Sequence, residues 1–328
     1  MSKKIFKYLN SAKFINIMSY TFCIIYFFYA ISFAVLKTNN ENQKIDDFNR
    51  LLVKAQSYNA YLEENISTET PKDEVEDIKP LFTDGKTAFI TAYNNTIYSS
   101  SFFVDSTSVN TINARGFTLK MNGRNLIAKY SEDKMYELSV SQLVQTDAGS
   151  AITSIIQPLA TSARQKFYEN DQIKMQETES VYIKDNVYYG DFNKSSVQNK
   201  TLDEVPLIAQ NLYVVNEETV SNITYFNIKY IRGVPKYYYV QAELDPVKST
   251  VNYAKVLKFA ANALELPKYS KVVVSLIIND KGHVIAMTMM DTISYLKVNI
   301  LGGTTATGNF TQDLILTKIG EEVNYEVS

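Results

Sequence analysis

The residue types that most often catalyse reactions or hold metals are scarce in this chain: one histidine, His283, and one cysteine, Cys23. A Ser-His-Asp triad would have to use His283, no Gly-x-Ser-x-Gly surrounds any serine, and a histidine metal cluster is impossible. His283 follows Lys281-Gly282 and reads as an exposed strand residue at a hairpin edge. Cys23 lies in an apolar stretch. Tyr20 and Phe22 stand where a lipobox wants a Leu-like and a small residue, so Cys23 reads as a buried apolar residue, with palmitoylation as the minor alternative. The rest of the chain has no thiol, hence no disulfide, zinc-thiolate site or cysteine nucleophile. Gly302 to Gly308 is small and polar but lacks the Gly-Lys-Ser/Thr ending of a phosphate loop, and reads as a flexible loop. The acidic run from Glu63 to Asp77 contains no Asp-x-Asp-x-Asp-Gly and reads as a solvated linker. Paired carboxylates for glycoside hydrolysis need no local motif, so they stay open, although the absence of Trp speaks against a sugar cleft. The expectation is a protein without cofactor or metal that is not an enzyme.

The elements that would position any site begin with an anchor. Phe14 to Leu36 carries no charge and is long enough to span a bilayer core as a helix. Lys3, Lys4, Lys7 and Lys13 precede it and mixed charges follow, so the positive-inside bias puts the N-terminus in the cytoplasm and the body outside the cell membrane. The alternative is a signal peptide cleaved before Val35, with Ser32 and Ala34 as the small residues. The expected division is therefore 1–13 cytoplasmic tail, 14–36 transmembrane helix, 37–80 helical stalk and acidic linker, and 81–328 extracytoplasmic β-rich domain. Within the stalk, Ile45, Phe48, Leu52, Ala55 and Leu62 fall near helical spacing over 41–64.

From Leu81 onward the pattern reads mostly as strands. Asn122-Gly123 predicts a hairpin between 116–121 and 124–130. Met135 to Val140 predicts another strand, and Ser150 to Tyr168 a helix that is kinked at Pro158 or begins there. Strands over 173–183 and 187–192 join at Lys184-Asp185-Asn186. In the last third, Phe226, Ile228 and Tyr230 alternate along one strand, and Tyr238, Val240, Ala242 and Leu244 along the next, across Arg232-Gly233. Asp245-Pro246 opens a helix whose stripe runs Val247, Val251, Ala254, Leu257, Ala261, Leu264. Strands 272–278 and 283–290 form a hairpin across Asn279 to Gly282, and 314–319 is a final strand.

This order of hairpin, Asp-Pro-capped helix and hairpin, ending in Asp291-Thr292-Ile293-Ser294-Tyr295, resembles the exported lipoprotein-carrier and lipoprotein-like superfamily typified by LolA and LppX. The resemblance covers 222–297. It implies an α+β fold: a curved antiparallel sheet, a half-barrel, covered by helices on its concave side, with an apolar cavity for acyl chains. The residues expected in such a groove are Phe226, Tyr238, Leu257, Ala261, Leu264, Met287 and Met289, methionine being soft and adaptable. The leading expectation is a membrane-anchored, non-enzymatic protein with an apolar or lipidic ligand. The alternative is a cell-surface interaction or envelope-assembly module that binds another protein, and an enzyme comes third. A net charge of -2 leaves no basic field, so no nucleic-acid partner is expected.

Overall fold

The computed structural model describes residues 36–58, 79–299 and 303–325. The expected anchor, apart from Leu36, and the acidic linker at 63–77 lie outside those residues. Among the described residues no helix is long and apolar enough to cross a membrane. Helix α1 covers 36–58, and the chain divides into two compact units, Met1–Arg50 and Leu51–Ser328. In the first unit Phe48, an apolar position of the stalk pattern, is buried.

The second unit is built on one open antiparallel sheet. Its elements in chain order are α2 (Gly85–Ile97), β1 (Phe102–Ala114), β2 (Phe117–Ser131), β3 (Lys134–Thr146), α3 (Ser150–Ala160), β4 (Ser162–Glu169), β5 (Gln172–Thr178), β6 (Val181–Lys184), β7 (Val187–Gly190), β8 (Gln198–Lys200), β9 (Val220–Ile231), β10 (Val234–Leu244), α4 (Tyr253–Ala260), β11 (Lys268–Asn279), β12 (Val284–Val298) and β13 (Thr304–Thr317). Eleven strands pair in the order β8-β5-β4-β3-β2-β1-β13-β12-β11-β10-β9, while β6 and β7 form a separate hairpin. The sheet is thus mostly made of neighbours in sequence, and one long-range pairing, β1 with β13, joins its two halves.

Strand alternation assigns the two faces. On the inner face Phe89, Tyr93, Tyr238, Leu276, Met287 and Leu314 belong to the main core. Helix α2 covers the β9–β12 side: the Tyr93 hydroxyl donates to Tyr213 O at 3.2 Å, Asn94 Nδ2 to Val215 O at 3.0 Å, and the Val284 amide to Thr96 Oγ1 at 2.9 Å. On the outer face Phe103, Leu126, Tyr136, Leu138 and Val140 form a second core, with Tyr188, Phe192 and Tyr325 packed on it. There Arg124 donates to both Asp105 oxygens, at 2.9 and 2.7 Å. The last turns of α1 bind the same face: Lys54 Nζ reaches Thr107 Oγ1 at 3.0 Å and the Tyr58 hydroxyl reaches Asp105 at 3.3 Å.

Several expectations are corrected. The region after Leu81 opens with a helix, α2, in which Asp84 accepts the Thr87 amide at 2.8 Å as an N-cap. Asn122-Gly123 is not a turn but the middle of β2. The β1–β2 turn is Arg115-Gly116, both with positive φ, as a two-residue hairpin of this twist requires. Gly123 serves close packing instead: a Cβ there would meet Ser108 Oγ at 2.7 Å and Val140 O at 2.8 Å. The helix from Ser150 stops at Ala160, and 162–168 pairs as strand β4. The strand expected over 173–183 breaks after Thr178, so β6 leaves the main sheet. From Thr304 the expected flexible loop is strand β13. The helix expected from Asp245 is regular only over Tyr253–Ala260. Val247, at 72% exposure, therefore lies off the buried stripe. Asp245 still caps the turns before it, accepting the Val247 and Lys248 amides at 2.9 Å each.

Candidate functional site

The inner face is not filled evenly. Between the β4–β12 part of the sheet and its cover lies a cavity of about 260 Å³. Its floor follows the strand period. On β1 the inward residues are Ser106, Ser108, Asn110, Ile112 and Ala114, and the β2 partners of the first and fourth of these are Asn125 and Leu119. The floor therefore has two parts. One is a polar row running across the strands, through Arg164, Ser139, Asn125 and Ser106. The other is the apolar β1–β2 tip, with Ile112, Phe117, Leu119 and Met121. Helix α3 contributes Ile156 and Ala160 to the cover, and α4 with its exit contributes Val256, Leu257, Phe259 and Ala261. Ile208 and Leu212 reach in from the long connection between β8 and β9.

Of the seven expected groove residues, the structure brings Leu257, Ala261 and Met289 together in this lining. The other four lie elsewhere. Tyr238 and Met287 are buried in the main core at 1% exposure. The Tyr238 hydroxyl accepts the Leu81 amide at 2.6 Å, and its ring meets Phe82 edge-on at 5.3 Å between centroids. Phe226 packs against that core beside Gly85, and Leu264 is 46% exposed. His283 is half-buried in the turn immediately before β12, not on a strand.

Three charged side chains line the cavity: Arg164, Lys166 and Asp291. Two are ion-paired. Arg164 meets Glu177 and lies over the Phe259 ring at 4.4 Å. Lys166 meets Glu137 at 3.1 Å and donates to Pro206 O at 2.8 Å. Glu137 also accepts the Ala209 amide at 2.9 Å, which ties the β8–β9 connection to the sheet.

Asp291 differs. It is 5% exposed, and its Oδ1 accepts a hydrogen bond from the Tyr213 hydroxyl. No lysine, arginine or histidine pairs with it among the described residues. Tyr253 packs edge-on against Tyr213, with ring centroids 4.9 Å apart, and lies 6.3 Å from the Tyr269 ring. The Tyr269 hydroxyl is buried without a hydrogen-bond partner. Burial raises the Asp291 carboxyl to about 7, with the Tyr213 hydrogen bond opposing the shift. Burial raises Tyr213, Tyr253 and Tyr269 as well.

The sign of the resulting pH effect follows from proton counting. Between the ordinary carboxylate value and about 7 the folded chain keeps a proton on Asp291 that the unfolded chain has lost. The stability tied to this proton is fully present below the unfolded pKa and is lost as pH rises through about 7. Asp291→Asn is therefore expected to flatten the decline in urea stability between about pH 4.5 and about pH 8. Identical slopes in wild type and variant would show that the group titrates alike in both states.

The sequence signal for part of this site was present but unread. The alternation Ser106, Ser108, Asn110, Ile112, Ala114 marks one strand face that changes from polar to apolar. A lone carboxylate in the run Met289-Met290-Asp291-Thr292-Ile293 marks a charge on a strand with an apolar face. Nothing local could have joined Tyr213 or Phe259 to either.

No known family model matches the chain, and no curated protein matches it. Among solved structures it is similar to a DUF1329 family protein from Desulfovibrio piger, with 11% identity over 74% of this chain and 96% of that one, at a TM-score of 0.24. It is also similar to a putative outer membrane lipoprotein-sorting protein domain from Vibrio parahaemolyticus, with 11% identity over 71% and 92%, at a TM-score of 0.24. A third is a β-barrel-like DUF1849 protein from Brucella abortus, with 8% identity over 67% and 99%, at a TM-score of 0.19. Likenesses this distant carry no weight for function, which rests on the cavity.

Proposed function

We propose that the domain is a non-enzymatic binding protein that holds an apolar or amphiphilic ligand in the cavity beneath α3 and α4, its sheet curving around the ligand as a half-barrel. The observation that carries this reading is the space itself. A folded interior is normally packed like an organic crystal, and an apolar void of ~150 Å³ already admits benzene. Here about 260 Å³ lies between aliphatic and aromatic walls, close to the lower end of small-ligand pockets, about 300 Å³. An elongated alkyl chain suits that volume and the length of the β1–β2 tip.

Native mass spectrometry of the purified full-length chain tests the reading. The expected result is a bound species of lipid-like mass that is released on unfolding. A chain that carries nothing, and that takes up no apolar dye, would overturn it.

We infer further that Phe14 to Leu36 anchors the protein in the cell membrane with the body outside. Support comes from the four lysines before that uncharged stretch. Protease added to intact cells should degrade the body while a tag at the N-terminus survives. Protection of the body would reverse the orientation, and a mature chain starting at Val35 would replace the anchor with a signal peptide.

A further inference from the structure

The cavity wall carries one charge that nothing in the described structure neutralises. Arg164 and Lys166 have Glu177 and Glu137 as counter-ions. Asp291 has only a tyrosine hydroxyl on Oδ1, and among the described residues its Oδ2 has no partner. An ionised carboxylate in an apolar interior is costly unless a positive group pairs with it. Several of the residues around it are aromatic. Tyr213 comes from the β8–β9 connection, Tyr253 from α4 and Tyr269 from β11, and the rings of the first two meet edge-on. Aromatic faces beside a carboxylate are the surroundings in which ammonium groups bind, because ring quadrupole and charge both attract them. Phe310 adds another ring to the lining, on the β13 residue that pairs with Asp291.

We propose that Asp291, held by the Tyr213 hydroxyl and flanked in the lining by Tyr253 and Phe310, is the head-group subsite of the cavity, and that it selects amphiphiles carrying a cationic ammonium group. This rests on the reading of the cavity as an apolar ligand site. The alkyl part of such a ligand runs towards Ile112, Leu119 and Leu257. An anionic head is the worst fit, since it would bring a second negative charge to the unpaired carboxylate.

Three soluble probes of equal chain length separate the possibilities: octylamine, octanol and octanoate. Each competes with the neutral dye N-phenylnaphthylamine for the full-length chain in amphipol. At about pH 8, octylamine should displace the dye at about tenfold lower concentration than octanol, the size expected of one ion pair with cation–π contact. Octanoate should be the weakest. At about pH 5.5 the amine is still cationic, but Asp291 has taken up a proton and is neutral, so the ratio should fall towards one. In Asp291→Asn the ratio should be near one at both values. Equal displacement by amine and alcohol in wild type at about pH 8 would overturn the head-group assignment and leave the cavity reading standing. So would a preference that survives in the variant. If that variant does not fold, the wild-type ratio at the two pH values decides by itself. A chain that takes up no dye and responds to no probe removes the cavity reading and this assignment together.

Discussion

Lys166→Met is expected to destabilise the domain by about 3–5 kcal/mol, the cost of leaving one member of a buried ion pair alone. Glu137 is fully buried and does not line the cavity, so the variant leaves its charge without a counter-ion and without water to replace one. The pair also does more than neutralise itself. Glu137 accepts the Ala209 amide, and Lys166 donates to Pro206 O. Together they hold the connection that carries Ile208 and Leu212 over the cavity and Tyr213 onto Asp291. Exposed pairs such as Lys86–Glu217 should behave differently: their removal costs about 0–1 kcal/mol. Urea unfolding of Lys166→Met and of the double variant Glu137→Leu/Lys166→Met reads the effect. The double variant removes both charges but strands the Ala209 amide and the Pro206 carbonyl. Each unmet group costs about 1–3 kcal/mol, so the double variant should recover only part of the loss. A single variant within about 1 kcal/mol of wild type would mean that solvent reaches the pair. Full recovery in the double variant would mean that the connection is held by packing alone.

What the sequence made legible is local. The C-terminal hairpins β9–β10 and β11–β12 announce themselves because alternation and turn chemistry agree: Arg232 and Gly233 both take positive φ, as do Asp185 and Asn186 in β6–β7. Where two local signals conflict, the pattern misleads. Asn122-Gly123 has the composition of a hairpin turn, yet the tertiary need for a residue without Cβ between Ser108 and Val140 explains the glycine better. Helix α2 was hidden because its buried face is built partly from small and polar residues. Gly85, Ala88, Ala92 and Thr96 step along it at helical spacing, and only Asp84 signals its start. The sequence over β4 also suits a helix, since Phe167 falls on the same period as Ile152 and Ile156. Its pairing with β3 through Arg164–Ser139 and Lys166–Glu137 decides otherwise. The site divides in the same way. Leu257 and Ala261 were readable as one helical face, whereas the inward row of β1 gains meaning only when β13, far along the chain, pairs beside it.

Leu257→Asp is expected to leave the protein folded and to abolish apolar ligand binding, weakening it by about a hundredfold or more. Leu257 is half-buried on α4 and lines the cavity with Val256 and Phe259. In the empty protein a carboxylate there can be hydrated by water entering the space, so stability should shift by no more than about 1 kcal/mol. When an alkyl chain fills the space that water is expelled, and the charge is left without a partner, which opposes binding directly. Ala254, one turn earlier on the same helix, is 5% exposed and belongs to the main core. Ala254→Asp should therefore cost several kcal/mol and disrupt folding, because no cavity water can reach it. Thermal melting and dye uptake, measured on both variants, separate the possibilities. Loss of folding in both would mean that the space beneath α4 is closed to water, and the apolar-ligand reading would lose its support. Unchanged dye uptake in Leu257→Asp would mean that α4 covers no ligand. A folded, non-binding Leu257→Asp beside a misfolded Ala254→Asp would locate the boundary between core and binding site within a single turn of helix.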